Sequence, residues 1–491
     1  MNQAIRSSWV VAVALFALIL GSVTYVQFFA VDSLKNNPLN NRVISQNYCN
    51  ERGPILVGGQ AIAQSVPSGD SCKFVRQYTD GALYAGLTGF FSRDHGSSGL
   101  ENEMNNVLVG DSPDQFFDRV GQILSGAQPK GSSVELTIDP AIQKMAYDML
   151  PDGVQGSIVV LNPKTGAIIA MVSKPSYDTN LLAGHDFAAV NSNYQQLVNV
   201  PQINMYGSRA YRDTYYPGSI FKLVDTAAAL ASGKYNKDSV LPNPAVLNFP
   251  GTTVGLPNYT SGGCAARSQA DFAFALAQSC NTPFASIAAD LGQQAITDQA
   301  TKFGFNDSSL RLPSPVVRSV FPNQENSTLD PASLARSAIG QQDVRATPLE
   351  VAMMTAAIAN GGTQMKPNLI QAVRTPDLKP ITKYDFTPEV LRQSTTPEIA
   401  QQITQWMQGV VDNGIGKAAA VPGIPVAGKT GTAESDPTIP DSVKNSWFTG
   451  FAPANDPQVV VSIMVQGANI LDSNKLTSPN ASKLFEAVLK K

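Results

Sequence analysis

The spacing of apolar positions divides the chain into one unbroken apolar run and a long stretch of alternating segments. Trp9 to Ala30, WVVAVALFALILGSVTYVQFFA, is 22 residues without a charge. At 1.5 Å per residue it makes about 33 Å of helix, enough to cross a bilayer. Further on, SIVVLNPKTGAIIAMV sets two apolar runs around a polar centre. It predicts a hairpin whose turn holds Lys164, Thr165 and Gly166. Near the C-terminus, VAGKTGTAE, SWFTGFAP and QVVVSIMVQG read as neighbouring strands of an antiparallel sheet. YPGSIFKLVDTAAALASG places Pro217 and Gly218 ahead of a helix-prone run that Gly233 ends, so Ser219 is expected in the first helical turn.

Length and charge narrow the function classes. A chain of 491 residues is too long for one core, and at least two folded units are expected. With 35 Lys plus Arg against 38 Asp plus Glu the net charge is -3, and no basic block points to nucleic acid. Arg6 before the apolar run favours a cytoplasmic N-terminus, residues 1–8, with the anchor at 9–30 and everything beyond it outside. The alternative is a cleaved signal peptide, which Phe28 disfavours because small residues are wanted at a cleavage site. Either way the bulk of the chain is exported. Cys49, Cys72, Cys264 and Cys280 are then an even set in an oxidising compartment, with three possible connectivities, of which the sequence-local pairs are favoured over buried free thiols. The two histidines, His95 and His185, leave little material for a Ser-His-Asp triad or a histidine metal site.

GIPVAGKT, from Gly423, fits the phosphate-cradling P-loop pattern, but its flanks do not. A P-loop follows a buried strand and opens a helix, whereas here Gly431, Pro437 and Pro440 follow at once. The same residues contain Lys429-Thr430-Gly431, a motif of penicillin-recognising acyl-transferases that needs a Ser-x-x-Lys and a Ser-x-Asn upstream. Chance supplies about two and about three such matches in a chain of this composition; the sequence has one and three. Order raises the signal. Ser219-x-x-Lys222 comes first, Ser279-x-Asn281 follows, then Lys429, while the matches at Ser45 and Ser478 fall outside that order. Three residues apart on a helix, Ser219 and Lys222 share a face, with the hydroxyl in reach of the amine. A lysine serves as base only when burial and nearby positive charge lower its pKa, and Lys429 is placed to supply that charge. The competing reading is a helix-cap serine with a solvated lysine.

The sequence resembles the penicillin-binding proteins, specifically the class B monofunctional D,D-transpeptidases of the small actinobacterial PbpA type. LTIDPAIQKMAYDML, GSIVVLNPKTGAIIAMVSKPSYD, YPGSIFK, SCN, IGQQDVRATPLEVAMMTAAIANGG, VAGKTGTAE and SWFTGFAP look like family blocks in family order and cover roughly residues 131–491. NRVISQNYCNERGPILVGGQ and HGSSGLENEMNNVLVG look like the short N-terminal module of such enzymes. The resemblance implies an α+β penicillin-binding (serine β-lactamase-like) domain at 131–491. This has an antiparallel sheet, the Ser219 helix packed on it and a helical lobe, preceded by the transmembrane helix and a stalk or docking module at 31–130.

Carried over by motif, it implies Ser219 as nucleophile toward the penultimate D-Ala carbonyl of a peptidoglycan stem peptide, Lys222 as base and Ser279 as proton relay through Lys429. Asn281, Lys429, Thr430, Gly431 and Thr432 would bind the substrate, with the Ser219 and Thr432 backbone N–H groups as oxyanion hole. The implied partners are donor and acceptor stem peptides, β-lactam antibiotics, the membrane, a separate glycan polymerase and division or elongation proteins; no cofactor or metal is implied. Cys280 stands where the Ser-Asp-Asn form has aspartate, and pairing with Cys264 would tether the motif. A class A β-lactamase carries Glu-x-x-x-Asn between the second and third motifs. Here Glu325 has Leu329 four positions on, which argues against fast hydrolysis. The alternatives are a D,D-carboxypeptidase, a β-lactamase, or a penicillin sensor, the last disfavoured by the short segment ahead of the membrane run.

Overall fold

A computed structural model describes residues 3–35, 48–115, 121, 130–250, 255–258, 263–322, 328–434, 443–467 and 470–490. Ser45, Glu325 and the 435–442 loop lie outside them. Helix α1, Gln3–Thr24, runs into a wider turn at Tyr25–Phe29. The stretch Arg6–Phe29 has mean hydropathy 2.3 and no buried part, so it is long and apolar enough to cross a membrane.

Ten strands form two five-stranded sheets: β1 Ile55–Val57, β2 Gln60–Pro67, β3 Phe74–Tyr78, β4 Ser133–Leu136, β5 Gln155–Leu161, β6 Ile168–Lys174, β7 Ile370–Arg374, β8 Ala427–Glu434, β9 Lys444–Ala452 and β10 Val459–Gly467. The first sheet has the order β7-β4-β1-β2-β3, with β1 parallel to β4. The second, wholly antiparallel, has the order β8-β9-β10-β5-β6. The β5–β6 hairpin turns as its sequence predicts. The Asn162 carboxamide accepts from Lys164 N and Thr165 N, and Gly166 supplies the positive φ.

Alternation places Ile158, Val160, Phe448, Val461 and Ile463 on one face of the second sheet. There they join Ile142 and Ala146 of the helix Pro140–Asp148 and Leu484 and Phe485 of the helix Ser478–Leu489. The opposite face, with Trp447, Val460 and Met464, packs on the helix Pro348–Ala359, whose residues are buried almost all round. Caps fix the helix starts. Asp139 accepts from Ala141 N and Ile142 N ahead of Pro140, and Thr347 accepts from Glu350 N ahead of Pro348.

The first sheet encloses an ionic core. Glu101 accepts from Arg52 Nη2 at 2.7 Å and Arg76 Nε at 2.6 Å, all three buried, and Tyr78 donates to the same carboxylate. Burial pushes the Glu101 carboxyl up, but the two guanidinium groups outweigh it and hold the pKa below the ordinary value. The structure joins Cys49 to Cys72 and Cys264 to Cys280.

Two predictions follow from buried groups. Glu350 is enclosed, its Oε1 has no partner among the described residues, and burial raises its pKa to about 8. Because the folded state holds this proton between roughly pH 4.3 and 8, its stabilising effect is complete at low pH and is lost as pH rises through about 8, with a slope of up to about 1.4 kcal/mol per pH unit. Glu350→Gln is expected to flatten thermal unfolding against pH across that window; an unchanged slope overturns the assignment. Replacing Cys264 and Cys280 together by serine is expected to cost up to about 3 kcal/mol in denaturant unfolding, from a loop closed over 16 residues. Alkylation of either cysteine of a pair in folded, unreduced protein would contradict that pairing.

Candidate active site

The turn that carries Ser219 is set by backbone contacts between distant segments. Tyr215 bridges Ala346, and Tyr216 O accepts from Trp447 Nε1 of β9 at 2.9 Å. Gly218, at φ +54°, donates its N–H to Gly340 O at 2.9 Å. A Cβ on Gly218 would stand 2.5 Å from Thr432 O, and one on Gly340 2.1 Å from Gly218 O. Only glycine fits this approach of three chains. Ser219 lies in the tight turn Gly218–Ile220 and leads into the helix Lys222–Ala231, so it precedes the α-helix by one turn and does not sit within it. Its neighbours are buried, while Ser219 itself opens on a cleft of about 540 Å³.

Behind the serine, two lysine amines converge on Ser279. Lys222 Nζ donates to Ser279 O at 2.7 Å and to Asn281 Oδ1 at 2.8 Å. Lys429 Nζ donates to Ser279 Oγ at 2.8 Å and to Thr430 O at 2.9 Å. Both lysines are wholly buried. Burial first, and the Lys429 charge second, hold Lys222 well below the ordinary lysine range, while burial brings Lys429 down to about 7. Two acceptors match the two N–H groups of a neutral Lys222 amine and leave its lone pair free. The hydroxyl of Ser219 makes no hydrogen bond among the described residues. The direct contact with Lys222 expected from helical spacing is therefore not made at rest, because the amine is drawn to the 279–281 segment. Catalytic hydrogen bonds commonly tighten only with substrate in place.

Ser279 has φ +57°, an uncommon conformation for a serine, between the helices Phe272–Ala277 and Thr282–Leu291. That geometry turns its carbonyl to one lysine and its hydroxyl to the other. Asn258, in a segment with no sequence signal, holds the motif from behind. Its Oδ1 accepts from Asn281 N and Thr282 N, and its Nδ2 donates to Asn243 Oδ1 and Thr282 Oγ1. Asp225, one turn along from Lys222, is buried with both carboxylate oxygens unpartnered among the described residues, and burial raises its pKa far above the usual range.

The segment from Ala427 is strand β8, not a P-loop. It is the edge of its sheet, with Lys429, Gly431 and Ala433 turned inward and Thr430, Thr432 and Glu434 less buried. A Cβ on Gly431 would lie 2.7 Å from Pro217 O, so this glycine lets the strand close on the Ser219 turn. Ser219, Ser279, Asn281, Thr430, Gly431 and Thr432 all line the one cleft, to which Gln341, Lys444 and Asn474 also contribute. Among the described residues no cluster of His, Cys, Asp and Glu has the form of a metal site.

Comparison with known proteins agrees with this arrangement along nearly the whole chain. Residues 156–490 match the penicillin binding protein transpeptidase domain and residues 52–134 the penicillin binding protein A dimerisation domain. Peptidoglycan D,D-transpeptidase PbpA of Mycolicibacterium smegmatis is 36% identical over 95% of this chain and 94% of its own length. The protein of that name from Mycobacterium tuberculosis is 35% identical over 100% and 99%. Among solved structures, penicillin-binding protein A of M. tuberculosis superposes with TM-score 0.83 as its imipenem acyl-enzyme complex (35% identity, 90% of this chain, 99% of that one). As the penicillin G acyl-enzyme complex it gives TM-score 0.81 (34%, 90% and 100%). With the matched domain spanning the cleft and both lysines, the chain belongs to the penicillin-binding protein transpeptidase family.

Proposed function

We propose that this chain is a peptidoglycan D,D-transpeptidase whose acyl carrier is Ser219. The observation that carries the reading is the meeting of a cleft-facing serine, two desolvated lysines and an open edge strand. Ser219 Oγ attacks the carbonyl carbon of the penultimate D-Ala as its proton passes to the Lys222 lone pair. The backbone N–H groups of Ser219 and Thr432 face the developing oxyanion. As the C–N bond breaks, the Ser279 hydroxyl gives its proton to the departing D-Ala amine and is resupplied from Lys429. Thr430 and Thr432 hold the terminal carboxylate, Asn281 the peptide backbone, and Gly431 lets the donor lie along β8 as an added strand. The proton left on Lys222 makes good the one Lys429 gave. An acceptor amine then attacks the ester carbon, the bond to Ser219 Oγ breaks, and the amine's surplus proton returns to Oγ through Lys222. With a β-lactam the same attack opens the ring, but the leaving nitrogen stays tethered and the ester persists.

The remaining assignments rest on the same reading. Residues 1–8 are cytoplasmic, 9–30 anchor the chain in one pass, 31–130 form a docking module and 131–491 the transpeptidase domain outside the membrane. A separate polymerase supplies the glycan, and division or elongation proteins position the pair. The supporting features are the apolar helix and the short reach of the N-terminal module.

Mixing the full-length chain in detergent with benzylpenicillin is expected to give one covalent adduct per chain, lasting many minutes and mapped to Ser219, and none with Ser219→Ala. Drug consumed without an adduct would make the protein a hydrolase. Acylation also reports on Lys222. Its folded pKa is held well below the ordinary lysine range, so the rate should fall as acid protonates the amine. Lys222→Arg, charged at every pH, should slow acylation by about 100-fold or more across the range. An acylation rate that Lys222→Arg leaves unchanged would remove Lys222 as the base.

A further inference from the structure

The cleft continues past the reacting centre along β8. Strand alternation brings Thr430, Thr432 and Glu434 onto one face of it. The row ends in a pair of opposite charges, for Glu434 accepts from Lys444 of β9, its partner across the two strands. Both side chains line the cleft, as does Asn474. Both remain in contact with solvent, 41% exposed for Glu434 and 23% for Lys444. A partly exposed cross-strand ion pair contributes little to a fold. The charges are therefore free to exchange each other for a ligand's.

Charge along the strand sets the direction of a bound peptide. The cationic end, with Lys429, Thr430 and Thr432, attracts a C-terminal carboxylate. A donor added antiparallel to β8 then runs with its upstream residues toward Glu434. With the scissile carbonyl at Thr432, the residue ahead of the D-Ala-D-Ala pair falls one strand step of about 3.4 Å further on, beside Ala433 and Glu434. We propose that Glu434 and Lys444 are specificity residues for the side chain of that third donor residue, and that its preferred end carries both a free amine, meeting Glu434, and a free carboxylate, meeting Lys444. This rests on the reading of Ser219 and β8 given above.

Three donor peptides ending in D-Ala-D-Ala test it on the full-length chain in detergent. Their third residue is a diamino acid with free amine and carboxylate, lysine, or Nε-acetyl-lysine, and release of D-alanine is followed. The expected order of kcat/KM is the order given, with about tenfold for each charge, mostly in KM. Glu434→Gln should shrink the preference for lysine over acetyl-lysine. Lys444→Met should erase the preference for the diamino acid over lysine and spare the other. Equal kcat/KM for the three donors overturns the proposal, as does a loss in either variant that is the same for all three. Benzylpenicillin, which carries neither group, is titrated alongside. Normal acylation with indifferent donors refutes this inference alone, and no acylation refutes the underlying reading with it.

Discussion

The site depends on the desolvation of two amines that converge on one serine. Lys222 and Lys429 reach Ser279 from different elements, one through its carbonyl and one through its hydroxyl, and neither touches solvent. Two charged amines so close in a dry site repel each other, and each favours the other's neutral form. Much of the surrounding structure holds this unfavourable meeting in place. Ser279 takes a left-handed backbone, Cys280 is tied to Cys264, and Asn258 locks the next two amides. A flexible 279–281 segment would let the lysines drift to water and recover ordinary basicity.

The second constraint is a sheet edge, β8, with no further strand beside it among the described residues. Elsewhere edges are closed by side chains that imitate a strand. The Gln143 carboxamide accepts from Met171 N and donates to Met171 O on β6, and Asn180 does the same at Tyr78 on β3. β8 is treated differently, since the Ser219 turn and the cleft lie against it. Close approach there needs no side chain at Gly218, Gly340 or Gly431. A strand left open beside a nucleophile suits an extended peptide better than a compact ligand.

What the sequence made legible was local. The apolar N-terminal helix, the hairpin at Lys164, the strand character of Ala427–Glu434 and the turn before the Ser219 helix all follow from spacing and from Gly and Pro. Long-range partners were not legible. No pattern in Ser133–Leu136 or Ile370–Arg374 tells that they join the sheet of residues 55–78, so the division near residue 130 that the resemblance implies falls between strands that pair. Asn258 sits in a stretch without periodicity, and its role exists only through partners at 243, 281 and 282. Helical spacing pointed Lys222 at Ser219, but could not anticipate that the Ser279 carbonyl and the Asn281 side chain would claim its two N–H groups.

Two buried charge clusters in the same chain show how differently such groups can be used. Around Glu101 the carboxylate is fully answered, with two guanidiniums, a phenol and backbone carbonyls sharing the work, and Arg76 Nη2 alone in the cluster lacks a partner among the described residues. A carboxylate so held resists change in protonation and behaves as structure, and removing one partner would typically cost about 3–5 kcal/mol. Around Lys222 the accounting stays open. Asp225 has no partner for either oxygen among the described residues, and no acid is hydrogen-bonded to the Lys222 amine there. On the proposed mechanism a site that receives a proton from Ser219 cannot be saturated in advance. The incompleteness that would be a fault around Glu101 is what that mechanism asks of the surroundings of Lys222.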